Sequence, residues 1–181
     1  MPSPDFIETY SGRSFRPLAP AVGDIVIADI AHALSQQCRF SGHTAVPYYV
    51  AQHCVLVSEL LEKWGERREV QQWGVMHDAS EAYLVDIPAP LKQTRAFAAY
   101  RAAEQQLMEA ICERFGMTPF EPAIVRKADA VLLATEARDL MPNRREHWGA
   151  LKETPMADRI VPWSAQEAES KFLRRFVQVM A

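Results

Sequence analysis

A chain of 181 residues and 20.5 kDa is sized for one domain that buries about 70% of the surface its unfolded chain exposes. Its 49% hydrophobic and 24% charged residues exclude a disordered, collagen-like or rod-like protein. Twenty Lys and Arg against 23 Asp and Glu give a formal net charge of −3, so no global positive field holds a long polyanion such as DNA, and a phosphate ligand must be met by local groups. The three cysteines, Cys38, Cys54 and Cys112, are too widely spaced for a disulfide frame or a CxxC metal knuckle. The N-terminal stretch has no basic-then-apolar leader pattern, and no uncharged run reaches the ~18 residues of a membrane span. The reducing cytoplasm is the expected compartment.

In chain order, strand signals are weak. The best of them, in the first twenty residues with Tyr10, Ser11 and Gly12 at a turn, predicts a short hairpin. Ile27, Ile30, Ala31 and Leu34 predict a helix over about 24–38 with Asp24 as its cap. Val50, Cys54, Val57, Leu60, Leu61 and Trp64 form one apolar stripe over about 47–64, with Pro47 in the first turn and Gly65 just past the end. A helix over about 68–83 carries Val70, Trp73, Gly74 and His77 on one side and is broken by Pro88 and Pro90. A long helix over about 94–115 stops at Gly116. Thr118, Pro119 and Glu121 read as a capping box for the next helix, which runs to about Leu140. Ser164 and Glu167 repeat that box before a last helix to Val179. The expected class is all-α: one domain over 1–181, with a core of about 24–141 and a C-terminal loop and helix over 142–181.

Several polar residues do not fit a plain core. His53 falls on the buried stripe of its helix, between Val50 and Val57. Read alone, it is a hydrogen-bonded core histidine. His77 and Asp78 follow the apolar pair Val75 and Met76, and Glu81 stands four residues after His77 on the same face. Asp129 sits among Val125, Ala128, Leu132 and Leu133, where an unpaired buried carboxylate costs several kcal/mol unless a cation meets it. Two imidazoles and two carboxylates, His53, His77, Asp78 and Asp129, offer mixed N and O ligation to one divalent metal such as Zn, Co, Mn, Fe or Mg. The ligands that a second ion would need are missing.

The order His, then His-Asp, then Asp in AQHCVLVSELL, MHDASEAYLVDIPAPLK and VRKADAVLLATEARDL resembles the HD-domain metal phosphohydrolases. Within them it resembles the 5′-deoxynucleotidase branch, whose HDASE…D-P-P-K signature is close to His77 through Lys92. It also resembles the dNTP (dATP) triphosphohydrolases, which share an RF-x-GH stretch like Arg39 to His43 and a T-E-x-R-D-L stretch like Thr135 to Leu140. The likeness covers about residues 24–141 and departs at Phe40, where the deoxynucleotidases carry Trp. It implies a helical fold around one metal that acidifies water and polarises a phosphoryl oxygen. Glu81 is expected to act in the chemistry, orienting water or moving a proton to the leaving oxygen. Arg39, Phe40, His43, Asp86 and Lys92 are expected to bind substrate: Arg39 as a fork for phosphate, Phe40 as a flat face for a base, His43 as a donor, and Asp86 and Lys92 toward a sugar hydroxyl and a phosphate oxygen. Arg144, Arg145, His147 and Trp148 form a polar loop able to close over a substrate.

The expected function is removal of the 5′-phosphate of a deoxynucleoside monophosphate. The first alternative is a dNTP triphosphohydrolase, for whose extra charge His43, Lys92 and Arg138 are candidates. A hydrolase of guanosine alarmones and a nucleotide-sensing module with a structural metal are further alternatives. The expected partners are a small nucleotide and other copies of the chain, with no nucleic-acid polymer and no membrane.

Overall fold

The computed structural model describes residues 5–142 and 151–181, so the Arg144 to Trp148 loop lies outside the described residues. The fold is all-α with a two-stranded ribbon at its start. Strands β1 (Ile7–Glu8) and β2 (Ser14–Phe15) pair antiparallel, Ile7 opposite Phe15, around the expected turn. The Ser11 N–H and hydroxyl both donate to the buried Asp29 carboxylate, at 2.7 and 2.8 Å, and tie this hairpin to the first helix.

That helix, α1 (Ile27–Gln36), starts later than the spacing predicts. Asp24 lies in a separate 3-10 turn, 3.9 Å from the Arg13 guanidinium, and caps nothing in α1. Helix α2 (Val50–Lys63) leaves Pro47 outside its first turn. The segment before it runs back as an isolated bridge between Cys38 and Tyr49. Gly65 closes α2 with φ +77, as expected.

Helix α3 (Arg68–Met76) ends where a helix to residue 83 is expected, and α4 (Glu81–Leu84) follows as a separate turn. The Gly74 carbonyl accepts a hydrogen bond from His77 Nδ1 at 2.9 Å. The chain then tightens into three-residue turns, Ala79 N–H to Met76 O and Glu81 N–H to Asp78 O. After α5 (Ala89–Lys92), a 3-10 turn leads into α6 (Ala98–Phe115), stopped by Gly116 at φ +65.

The expected capping box before α7 (Ala123–Asp139) does not form, and Pro122 holds the cap position. The Thr118 hydroxyl instead accepts the Trp73 indole N–H at 2.8 Å, and Glu121 pairs with Arg126 at 3.0 Å. Before α8 (Ala165–Met180), the Ser164 hydroxyl does accept the Glu167 N–H, at 3.2 Å.

Helix α2 is the centre of the packing, with α1, α3, α7 and α8 around it. Its buried face meets Met76, Leu132 and Phe172, all fully buried. Burying side chains of this size contributes roughly 1.5–3 kcal/mol each. The α2–α3 contact is the closest: a Cβ at Gly74 would lie 2.8 Å from Ser58 Cα and 2.6 Å from Leu61 Cδ1. Arg175 of α8 locks the same pair, donating to the Ser58 hydroxyl and carbonyl, Gln71 Oε1 and Glu62 Oε2 at 2.8–3.0 Å. Cys54 and Cys112 are buried, Cys38 is half-buried, and all three are free. Among the described residues, no helix is long and apolar enough to cross a membrane.

Candidate metal centre and cleft

The close approach of α3 to α2 brings His77 Nε2 to 3.2 Å from His53 Nε2. Helix α7 adds Asp129, whose Oδ1 lies 3.1 Å from His53 Nε2. The turn after α3 adds Asp78, whose Oδ2 is 3.3 Å from His77 Nε2 and 3.8 Å from His53 Nε2. An ion held at ~2.1 Å places its neighbouring ligand atoms roughly 3.0–3.4 Å apart, for angles between square and tetrahedral. His53, His77 and Asp129 form a group that could hold a metal, and Asp78 meets it at His77 but stands at 3.8 Å, beyond that spacing, from His53. Asp129 differs from expectation in burial. Its side chain is 42% exposed, at the rim of the site and not inside the core.

The charges ask for a cation. Asp78, Asp129 and the fully buried Glu136 surround one guanidinium, that of Arg39. With neutral imidazoles, two negative charges are unbalanced, the charge of one divalent ion. Burial pushes the Asp78 carboxyl up, but His77, His53 and Arg39 outweigh it and hold it below the usual range. The Asp129 carboxyl is likewise pushed up by burial, and its hydrogen bond to His53 outweighs this and holds it below the usual range. Burial and Arg39 push the His53 imidazole down, yet Glu136 and Asp129 carry it up to about 9. A proton on His53 does in part what a metal would do. Cys54 Sγ also approaches His77 and Asp78. Burial, and then Asp78, push this thiol up in the metal-free site.

Beside the four ligands opens a cleft of about 420 Å³, lined by Arg39, Phe40, Asp78, Glu81, Asp86, Lys92 and Asp129, with Ile87, Pro88, Pro90 and Leu133 as an apolar wall. Glu81 is 4% exposed. Its Oε1 accepts from Lys92 Nζ at 3.2 Å, while Oε2 is buried without a hydrogen-bond partner among the described residues. Burial, then Asp78 and Asp86, push its carboxyl well up. Lys92 lines the cleft but is committed to Glu81 and, at 2.7 Å, to Glu104 of α6, so it is no free phosphate cation. Arg39 is similarly engaged: its Nε reaches Glu136 Oε2 at 3.3 Å and Nη1 reaches Asp78 Oδ2 at 3.4 Å. Phe40 lies with its ring 5.6 Å from the Arg39 guanidinium and takes φ +55, followed by Ser41 at φ +50 and Gly42 at φ +76. Two non-glycine residues in a row in this region store strain of order 1–3 kcal/mol each. Asp86 lines the cleft, and burial pushes its carboxyl up. His43 is exposed and is not brought to the cleft wall, contrary to its expected role.

Three residues of the site escaped the sequence reading. Glu136 accepts from His53 Nδ1 at 2.6 Å. Its spacing of seven residues from Asp129, two turns along the same helix face, was the available signal. Gln37 grips the turn at α4, donating to the Glu81 carbonyl at 3.0 Å and accepting the Asp86 N–H at 3.1 Å. Glu104 holds Lys92, and nothing local in the sequence marks it.

No protein-family model matches the chain. It is 40% identical to the uncharacterized protein YfdR of Escherichia coli K12 over 173 residues, which cover 94% of this chain and 93% of YfdR. It is 34% identical over 140 residues to an uncharacterized protein of Rhodobacter capsulatus, covering 72% of this chain and 70% of that one. The fold and site define an all-α protein with an acidic two-histidine centre. The chain belongs to the YfdR family.

Proposed function

We propose that this protein is an HD-type, metal-dependent phosphohydrolase that removes the 5′-phosphate from a (deoxy)nucleoside monophosphate. The observation that carries the reading is the group His53, His77 and Asp129, with Asp78 Oδ2 3.3 Å from His77 Nε2, beside a cleft on which Asp78 and Asp129 open. A divalent ion bound there supplies a Lewis acid for the phosphoryl oxygens and lowers the pKa of water.

The chain's own residues supply the rest. Water oxygen bonds to phosphorus keeping one hydrogen, the P–O5′ bond breaks, a proton must reach O5′ of the departing nucleoside, and the proton that water gives up restores the group that donated it. Glu81, whose carboxyl is pushed well up by burial and which holds Oε2 without a partner among the described residues, is placed to give it. Ile87, Pro88, Pro90 and Leu133 offer apolar surface to the sugar and base, with the Phe40 ring on the same cleft. Asp86 is the acceptor for a sugar hydroxyl.

The charge pattern favours a monophosphate over a triphosphate. Of the three extra basic groups that a triphosphate would use, His43 is off the cleft wall and Lys92 is neutralised by Glu81 and Glu104. Arg138 turns to Asp139 and to the Met156 and Asp158 carbonyls. Besides Glu81, the carboxylates of Asp78, Asp86 and Asp129 line the cleft among the described residues, and a triphosphate would meet that field with little to offset it. Incubating the metal-loaded protein with NMPs, dNMPs and dNTPs tests the reading. It requires inorganic phosphate from a monophosphate, and release of triphosphate or no product at all would contradict it.

A further inference from the structure

We propose that Glu136 is the positioning residue of the metal centre: one buried carboxylate that fixes the orientation of His53 through one oxygen and holds Arg39 over the site through the other. The inference rests on the metal reading above and assigns a role to a residue that is neither ligand nor cleft wall. Glu136 is 0% exposed, on the inward face of α7 two turns after Asp129. Its Oε1 is 2.6 Å from His53 Nδ1, and its Oε2 is 3.3 Å from Arg39 Nε.

A carboxylate accepts, so His53 carries its proton on Nδ1 in this pair, and the lone pair on Nε2 is left for an ion. His77 is set the same way by a different acceptor, the Gly74 carbonyl at 2.9 Å from Nδ1. The two imidazoles thereby present Nε2 to each other at 3.2 Å. Only His53 is oriented by a charged group, which also raises the basicity of the ligating nitrogen. The other half of the carboxylate fixes Arg39, whose Nη1 reaches Asp78 Oδ2 at 3.4 Å. Arg39 therefore joins a residue behind one ligand to a second ligand. Metal uptake and the position of the guanidinium depend on the same side chain.

The test uses Co²⁺ alone as the probe, on the full chain and its Glu136→Gln variant, reading affinity by titration and the ligand set from the visible absorption bands. The wild type should bind one Co²⁺. The variant should bind one with the same band positions and ~10–100-fold weaker affinity, the usual effect of losing a partner behind a histidine ligand. Unchanged affinity would overturn the inference, as would shifted bands, which would make Glu136 a ligand. Should the variant fail to fold, the wild type decides. Nitrogen-edited NMR of the Zn²⁺-loaded chain should show His53 protonated at Nδ1 and metal-bound through Nε2, and an unprotonated Nδ1 would overturn the proposal. A wild type that takes up no metal overturns the metal reading itself, whereas a wild type that binds and a variant that binds as tightly overturn the role of Glu136 alone.

Discussion

Replacing Gly74 by Ala tests how the packing of two helices makes the site. The new Cβ would lie 2.8 Å from Ser58 Cα and 2.6 Å from Leu61 Cδ1. The Leu61 methyl can swing aside, but Ser58 Cα is backbone, so α3 has to move off α2 by roughly 0.6–1 Å to reach ordinary contact. Overpacking of this kind costs ~1–3 kcal/mol, and the rigid obstacle puts this case near the top of that range. Alanine returns ~1 kcal/mol of helix propensity, leaving a net loss of ~2 kcal/mol, or a fall in Tm of roughly 4–8 °C for a chain of this size. The same shift pulls His77, which hangs from the Gly74 carbonyl, away from its 3.2 Å approach to His53. Metal affinity should therefore drop along with stability. Thermal unfolding and metal titration on one preparation read both. A variant with wild-type Tm and wild-type metal affinity would show that the tight crossing is not what sets the histidine pair.

On the proposed role of Glu81 as proton donor and not ligand, Glu81→Gln should lower kcat ~10²-fold or more while metal stays bound; loss of metal, measured by elemental analysis, would make it a ligand. Arg39→Ala leaves the buried Glu136 with His53 as its remaining partner and should cost ~1.5–3 kcal/mol in denaturant unfolding of the metal-free protein. A cost under ~1 kcal/mol would show that the guanidinium does not neutralise the cluster. In activity, Arg39→Ala should act alike on purine and pyrimidine substrates, since its guanidinium is held by the carboxylates of Glu136 and Asp78, and a base-dependent effect would count against that. Asp129→Ala should lose the metal even though its carboxylate sits at the rim, and unchanged stoichiometry would remove it from the ligand set.

The four candidate ligands stood out in the sequence because each departs from its helix's pattern: His53 on an apolar stripe, His77 and Asp78 after Val75 and Met76, Asp129 among aliphatic neighbours. The departures of the structure from the sequence reading come from partners distant in the chain. Thr118 looks like a cap, but the Trp73 indole takes its hydroxyl. Asp24 looks like a cap, but it sits nearest Arg13 across the hairpin. The break after Met76 coincides with a side chain, His77, bonding back to the Gly74 carbonyl, a competition between side chain and helix that periodicity does not register. Lys92 and Arg39 look like free phosphate-binding cations until α6 and α7 bring Glu104 and Glu136 against them.

The most direct test of the central claim, that one ion on four residues does the phosphate chemistry, is a titration of metal-free protein with Mn²⁺ or Co²⁺ while phosphate release from a deoxynucleoside monophosphate is followed. Activity should be absent without metal, rise in proportion to added ion and level off at one equivalent per chain. Full activity in the metal-free protein, or a plateau only at two equivalents, would contradict the account.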